Sequence, residues 1–157
     1  MPVIRPYRHG DAPALSQLFY RSVRQAALGD YTQAQVEAWA PQPPDPTRFA
    51  TKAADGRLFL VAVNAQDEPI AFGDLEADGH IDYLYCDPDF VGKGIASALY
   101  NRLETHARGQ RMPRLYTEAS ELARRLFEHK GFAVIERRDL IINGVELHNY
   151  AMEKLIA

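Results

Sequence analysis

The chain has 157 residues, 46% of them apolar and 25% charged, and its 18 Lys and Arg against 21 Asp and Glu give a net charge of −3. That length suits one globular domain over 1–157, and the slight acidity argues against a nucleic-acid partner, whose footprint is a basic surplus. The lone cysteine, Cys86, excludes an internal disulfide and a cysteine-rich zinc site, and no metal is expected.

Met1-Pro2-Val3-Ile4-Arg5-Pro6 holds no apolar run of signal-peptide type. The longest apolar run, Leu58 to Val63, falls far short of the ~20 residues that span a bilayer. A soluble, cytoplasmic protein with no membrane partner is expected. Val3-Ile4-Arg5 reads as a first strand. Asp11 then caps a helix carrying Leu15, Leu18, Phe19 and Val23 on one face. Thr32-Gln33-Ala34-Gln35 is a capping box for a second helix running to Trp39, where Pro41 stops it. The proline-dense stretch Pro41 to Pro46 is a rigid loop within the domain, and a short helix follows it to about Ala54.

Strands are expected over Leu58–Asn64, Ile70–Glu76 and His80–Cys86, with turns at Asp67-Glu68-Pro69 and Ala77-Asp78-Gly79. A glycine-rich loop leads into a helix over Gly94–Arg108, with Ile95, Leu99, Leu103 and Ala107 on its apolar face. A strand over Leu115–Glu118 and a helix over Glu121–Lys130 come next. Phe132–Ile142 and Val145–Lys154 are then joined by Asn143-Gly144, a strong hairpin signal. This order predicts an α/β (mixed α+β) fold: a central, mixed, mostly antiparallel, twisted sheet with helices on both faces.

The chemistry concentrates in Val91-Gly92-Lys93-Gly94-Ile95-Ala96, between a strand and a helix. Two glycines let a ligand approach the backbone, and the first helical amides with the helix dipole form an anion site for a phosphate or pyrophosphate. Lys93 adds positive charge. The loop lacks the Gly-Lys-Ser/Thr ending of a mononucleotide loop, and Ser97 stands where a dinucleotide loop has its third glycine.

The stretch Leu84 to Leu99 resembles the acetyl-CoA motif of the GNAT N-acetyltransferase superfamily, Arg/Gln-x-x-Gly-x-Gly/Ala. Gly94 and Ala96 match it, and Val91 departs from its first position. Ser120-Glu121-Leu122-Ala123-Arg124-Arg125-Leu126-Phe127-Glu128-His129-Lys130-Gly131-Phe132 resembles the family's downstream Asn-x-x-Ala-x-x-Phe-Tyr-Glu-x-x-Gly-Phe. The order of elements also matches the GNAT order over essentially the whole chain.

The resemblance implies acetyl-CoA as co-substrate. Its pantetheine arm would pair with Leu84, Tyr85 and Cys86, and its pyrophosphate would sit on the amides of Gly92, Lys93, Gly94, Ile95 and Ala96, with Val91 and Ser97 as further cofactor contacts. Ser120, at the family's Asn position, and Arg124 are further candidate contacts. The reaction is direct attack by a neutral amine, so a base must take a proton from an amine that is mostly charged at neutral pH. His80, Asp82 and Glu118 are the candidate bases. The family's usual acid is a Tyr where this chain has Phe127, so the role falls to another residue, with Tyr85, Tyr116 and Tyr150 as candidates, to water or to no group. A covalent role for Cys86 is rejected, because neither a cation nor a helix N-terminus is evident to lower its pKa. Tyr20, Tyr31 and Trp39 are candidate acceptor contacts. The expected activity is acetylation of a primary amine on a small molecule. A peptide or protein amine acceptor and a non-catalytic acyl-CoA-binding module are the alternatives. The last hairpin, with Tyr150, is a candidate homodimer edge.

Overall fold

The computed structural model describes residues 2–157. Its strands are β1 (Val3–Pro6), β2 (Leu58–Val63), β3 (Pro69–Leu75), β4 (His80–Ile81), β5 (Leu84–Cys86), β6 (Arg114–Ala119), β7 (Ala133–Ile142) and β8 (Val145–Leu155). Its helices are α1 (Ala12–Arg21), α2 (Gln33–Trp39), α3 (Thr47–Ala53), α4 (Ile95–Gly109) and α5 (Glu121–His129).

β2 reads Leu-Phe-Leu-Val-Ala-Val, an apolar run typical of a strand covered on both faces. Its alternate residues serve two cores. Phe59, Val61 and Val63 pack with Leu15, Phe19, Val36 and Phe49 from the first three helices. Leu60 and Ala62 pack with Leu99, Tyr100 and Leu103 of α4 and with Phe127 of α5. The fold is thus the expected mixed, mostly antiparallel α/β architecture with helices on both faces.

The central sheet is parted into two halves of four strands, β1-β2-β3-β5 and β4-β6-β8-β7. All neighbours pair antiparallel except β4 and β6, which run parallel. The strand expected over His80–Cys86 is therefore two strands in two half-sheets, broken at Asp82 and Tyr83. Alternation alone does not show the break. Its cause is Asp74 of β3, whose Oδ1 accepts the amide hydrogens of Asp82 at 2.9 Å and Tyr83 at 2.7 Å.

Two local devices differ from expectation. Asp11 sits at the start of α1 but in helical conformation, with no bond to a helical amide. Its carboxylate takes the Arg8 amide and the Arg5 guanidinium instead. α1 also widens into a π-helical turn, Ser22–Ala26. The Thr32 capping box forms as expected, with the reciprocal bonds to Gln35 both present. Asn143 and Gly144 both take the positive φ that a tight hairpin requires, 49° and 77°. Among the described residues no helix is long and apolar enough to cross a membrane.

Candidate active site

Where the half-sheets part, β5 and β6 diverge and a cleft of about 260 Å³ opens between them. β5 is the edge of its half-sheet, paired to β3 on one side, so its other edge faces the opening. Leu84, Tyr85 and Cys86 line the cleft from this strand. Val91, Gly92, Gly94, Ile95, Ala96 and Ser97 line it from the loop and the first turn of α4. Ser120 lines it from the opposite wall, where its Oγ also caps α5 by accepting the Ala123 amide hydrogen at 3.3 Å.

The loop fits an anionic group. Gly94 begins α4 in the left-handed region, at φ 80°, and Gly92 has φ 83°. No side chain caps this 15-residue helix. Its first amides therefore remain free for a ligand, backed by the helix dipole. Lys93 lies outside the cleft lining, with its ammonium 5.2 Å from the centre of the Phe90 ring. Arg124 also lies outside the lining. It stacks on Tyr150 at 4.5 Å and pairs with Glu121 at 3.2 Å and Glu128 at 3.6 Å.

Two candidate bases enter the cleft, Asp82 and Glu118. His80 stands behind Glu118, with Nε2 2.8 Å from Glu118 Oε1 and Nδ1 paired to Glu76. The Glu118 hydrogen bond, working against burial and aided by Glu76, pushes the imidazole up to about 9. His80 is therefore charged near neutral pH, with both ring nitrogens donating. In this arrangement the free carboxylate oxygen belongs to Glu118. Asp82 is tied to Lys52 at 2.7 Å and Arg57 at 3.2 Å. Burial opposes its charge, but Lys52 and these neighbours hold it below the usual carboxylate range.

Of the candidate acids, Tyr85 alone lines the cleft, and burial holds its phenol strongly protonated. Tyr116 donates to Asp78 at 2.5 Å and Tyr150 to Glu121 at 2.5 Å. Phe127 packs with Tyr100 and Phe132 and reaches the cleft wall. Burial pushes the Cys86 thiol up to about 11, which leaves it a protonated lining group.

Among the aromatic acceptor candidates, Trp39 lines the cleft beside Ser22 and Val23 of the widened turn and Ala27 just after it. Tyr20 stays outside, its ring beneath the Arg24 guanidinium. Tyr31 is buried, and its hydroxyl donates to the His148 carbonyl at 2.9 Å and accepts the Glu121 amide hydrogen at 3.1 Å. It ties α5 to β8 rather than facing the opening.

The sequence reading missed Asp74, Arg57 and Glu76, which join the two carboxylates of the cleft. Arg57 reaches Asp74 at 2.7 Å, Glu76 at 3.0 Å and Asp82 at 3.2 Å. A signal was present: Asp74 is the one charged residue in Ile-Ala-Phe-Gly-Asp-Leu, and a charge in a strand apolar on both sides needs a partner. Among the described residues no group of three or more His, Cys, Asp or Glu is arranged to hold a metal ion.

A parted sheet with an open strand edge leading to a free helix N-terminus is the framework of an acyl-transfer domain. Residues 27–154 match the family described as acetyltransferase (GNAT) domain. The chain belongs to that family, an N-acetyltransferase family, as its sequence motifs implied. The uncharacterised N-acetyltransferase YafP of Escherichia coli K12 is 31% identical over 149 residues, covering 95% of this chain and 93% of that protein. A crystal structure from Rhodopseudomonas palustris, described as a GCN5-related N-acetyltransferase (aminotransferase, class-II), is 35% identical. It covers 99% of this chain and 96% of that one, with a TM-score of 0.89. A phosphinothricin acetyltransferase from Sinorhizobium meliloti, solved with acetyl-CoA, shares the fold at 18% identity. There the TM-score is 0.76, with 99% of this chain and 88% of that one covered.

Proposed function

We propose that this chain, as a single cytoplasmic domain, transfers the acetyl group of acetyl-CoA to a primary amine of a small molecule by direct attack. The observation that carries the reading is Glu118. It stands in the cleft opposite the open edge of β5, held from behind by a charged His80. The amine lone pair attacks the thioester carbon, and the amine proton passes to Glu118. The carbon–sulfur bond then breaks, and the electron pair leaves on sulfur. Tyr85 donates a hydrogen bond to that sulfur. Full protonation is not required, because a thiol with pKa near 8.5 leaves readily as thiolate.

The α4 amides hold the pyrophosphate, and β5 offers its free edge to the pantetheine arm, adding it as a strand would be added. Support for a small acceptor comes from Trp39 and the turn Ser22–Ala26, which wall one side of the cleft. The test is a panel of alkyl amines, aryl amines, and peptides with free N-termini or lysines, read by release of free thiol. Turnover with small amines supports the proposal. Turnover with peptides alone overturns the small-molecule assignment. Tight CoA binding without thiol release from any amine overturns catalysis and leaves an acyl-CoA-binding module.

A further inference from the structure

We propose that Asp74, together with Arg57, is a positioning device of the transfer site, holding the backbone at Asp82–Tyr83 in its parted form. The proposal rests on the acetyl-transfer reading above.

Asp74 is fully buried and the Arg57 side chain is only 6% exposed. One carboxylate oxygen accepts two consecutive amides, those of Asp82 and Tyr83, and the other accepts from Arg57 at 2.7 Å. These two amides lie between the short strands β4 and β5, where the chain leaves one half-sheet for the other. Buried amides without partners are costly, so the parted form needs an acceptor here.

Net fold stability is a weak reason for a buried ion pair. Removing two charges from water costs several kcal/mol per ion, and apolar replacements of a buried ion pair are often neutral or stabilising. The position instead serves geometry. Arg57 also holds Asp82 and Glu76, Glu76 holds His80, and His80 holds Glu118. One buried carboxylate thus sets the break from which both cleft carboxylates are aimed. The anion cradle belongs to α4, a separate element, so the device acts chiefly on the reacting groups and on β5, which follows directly on the break.

The test compares wild type, Asp74→Asn and Asp74→Ala, with kcat expressed per CoA-binding molecule and a separate KM for each substrate. Asp74→Asn keeps an oxygen for the amides but turns an amide nitrogen toward Arg57. Its kcat is expected to fall roughly 10- to 100-fold, the scale of a misplaced catalytic group. The KM for acetyl-CoA is expected to change less than kcat, since the α4 cradle is untouched and only β5, which follows directly on the break, is shared with the pantetheine arm. Asp74→Ala is expected to lose more.

Hydrogen exchange supplies a readout independent of turnover. The amides of Asp82 and Tyr83 are expected to exchange faster in Asp74→Asn, while those of β2 keep their protection. A uniform rise in exchange across the fold, or an unchanged kcat per CoA-binding molecule, overturns the proposal. Wild type that releases no thiol overturns the acetyl-transfer reading instead, and the exchange pattern still decides whether Asp74 holds the break. If Asp74→Ala does not fold, Asp74→Asn decides the matter.

Discussion

His80 Nε2 lies 2.8 Å from Glu118 Oε1, joining residues 38 apart in sequence at the point where β4 runs parallel to β6. The register brings His80 opposite Tyr116, so the imidazole reaches along β6 to the residue two further on. Glu118 is thereby anchored through one oxygen and leaves the other for an incoming amine. Replacing Glu118 with Gln keeps the shape and removes the proton acceptor. We expect kcat to fall by roughly 10²- to 10⁴-fold, the usual contribution of a positioned base. The CoA thermal shift should persist, because the cradle lies on another element. Steady-state kinetics and a melting curve check both parts. A kcat within threefold of wild type would remove Glu118 from the reaction.

The same pair makes stability depend on pH in a definite direction. The folded pKa of His80 is raised from 6.5 to about 9, so its protonation favours the folded state. That contribution is fully present below about pH 6.5 and is lost as pH rises through about 9. Its ceiling is on the order of 3 kcal/mol at about 1.36 kcal/mol per pKa unit, and the partial exposure of both carboxylates reduces it to roughly 1–2 kcal/mol. Urea midpoints measured from pH 6 to 10 should fall across this window in wild type. They should be flatter in His80→Gln. Equal slopes in the two proteins would show that the imidazole gains nothing from its partners.

Much of this was readable from residues, and the remainder has identifiable causes. An unbroken apolar run marked β2, the glycines marked the loop before α4, and Asn143-Gly144 marked the last hairpin, because each is a local pattern with a local cause. The break at Asp82 is not local. Its alternation fits a continuous strand, and what interrupts it is a carboxylate on the preceding strand. Trp39 shares a helical stripe with Val36 that suggests core packing, yet tertiary packing gives the Tyr31 hydroxyl two backbone partners and leaves Trp39 on the cleft wall. Arg124 and Lys93 were expected to meet the cofactor's phosphates, the first through the family resemblance and the second through its charge in the loop. Glu121, Glu128 and the Tyr150 ring claim the first, and the second lies against Phe90.

Tyr85→Phe separates a needed acid from a helpful donor. The phenol lines the cleft and stays protonated, but a thiolate leaving group has little need of a full proton. We expect kcat to fall by less than roughly tenfold, in keeping with the loss of one hydrogen bond worth about 0.5–1.5 kcal/mol. A loss of several hundredfold, measured with the same amine, would make Tyr85 the obligatory acid.

Gly79→Ala tests the seam between the half-sheets. Gly79 has φ +95°, and an added Cβ would fall 2.0 Å from the Arg114 carbonyl oxygen. Its own carbonyl accepts the Tyr116 amide hydrogen at 3.1 Å, so neither backbone is free to retreat. Strain and overpacking together should cost about 2–4 kcal/mol. A thermal midpoint lowered by roughly 5–10 °C is expected for a chain of this size. A midpoint unchanged within error would mean that the turn and β6 separate easily.

Gly94→Glu tests the cradle itself. Gly94 opens α4 with a φ of 80°, beside amides that no side chain caps. A glutamate there is strained in the left-handed region and places a carboxylate where the pyrophosphate of acetyl-CoA would sit. The protein should still fold, because the N-cap lies at the surface of the loop and the core face of α4 is unchanged. In wild type, acetyl-CoA at about 100 times its Kd should add about 2.7 kcal/mol to stability and raise the melting midpoint measurably. In Gly94→Glu that rise should vanish, while the left-handed strain lowers the ligand-free midpoint by a few degrees. A wild-type curve unmoved by saturating acetyl-CoA would remove the cofactor from this loop. An undiminished shift in Gly94→Glu would place the pyrophosphate elsewhere in the cleft.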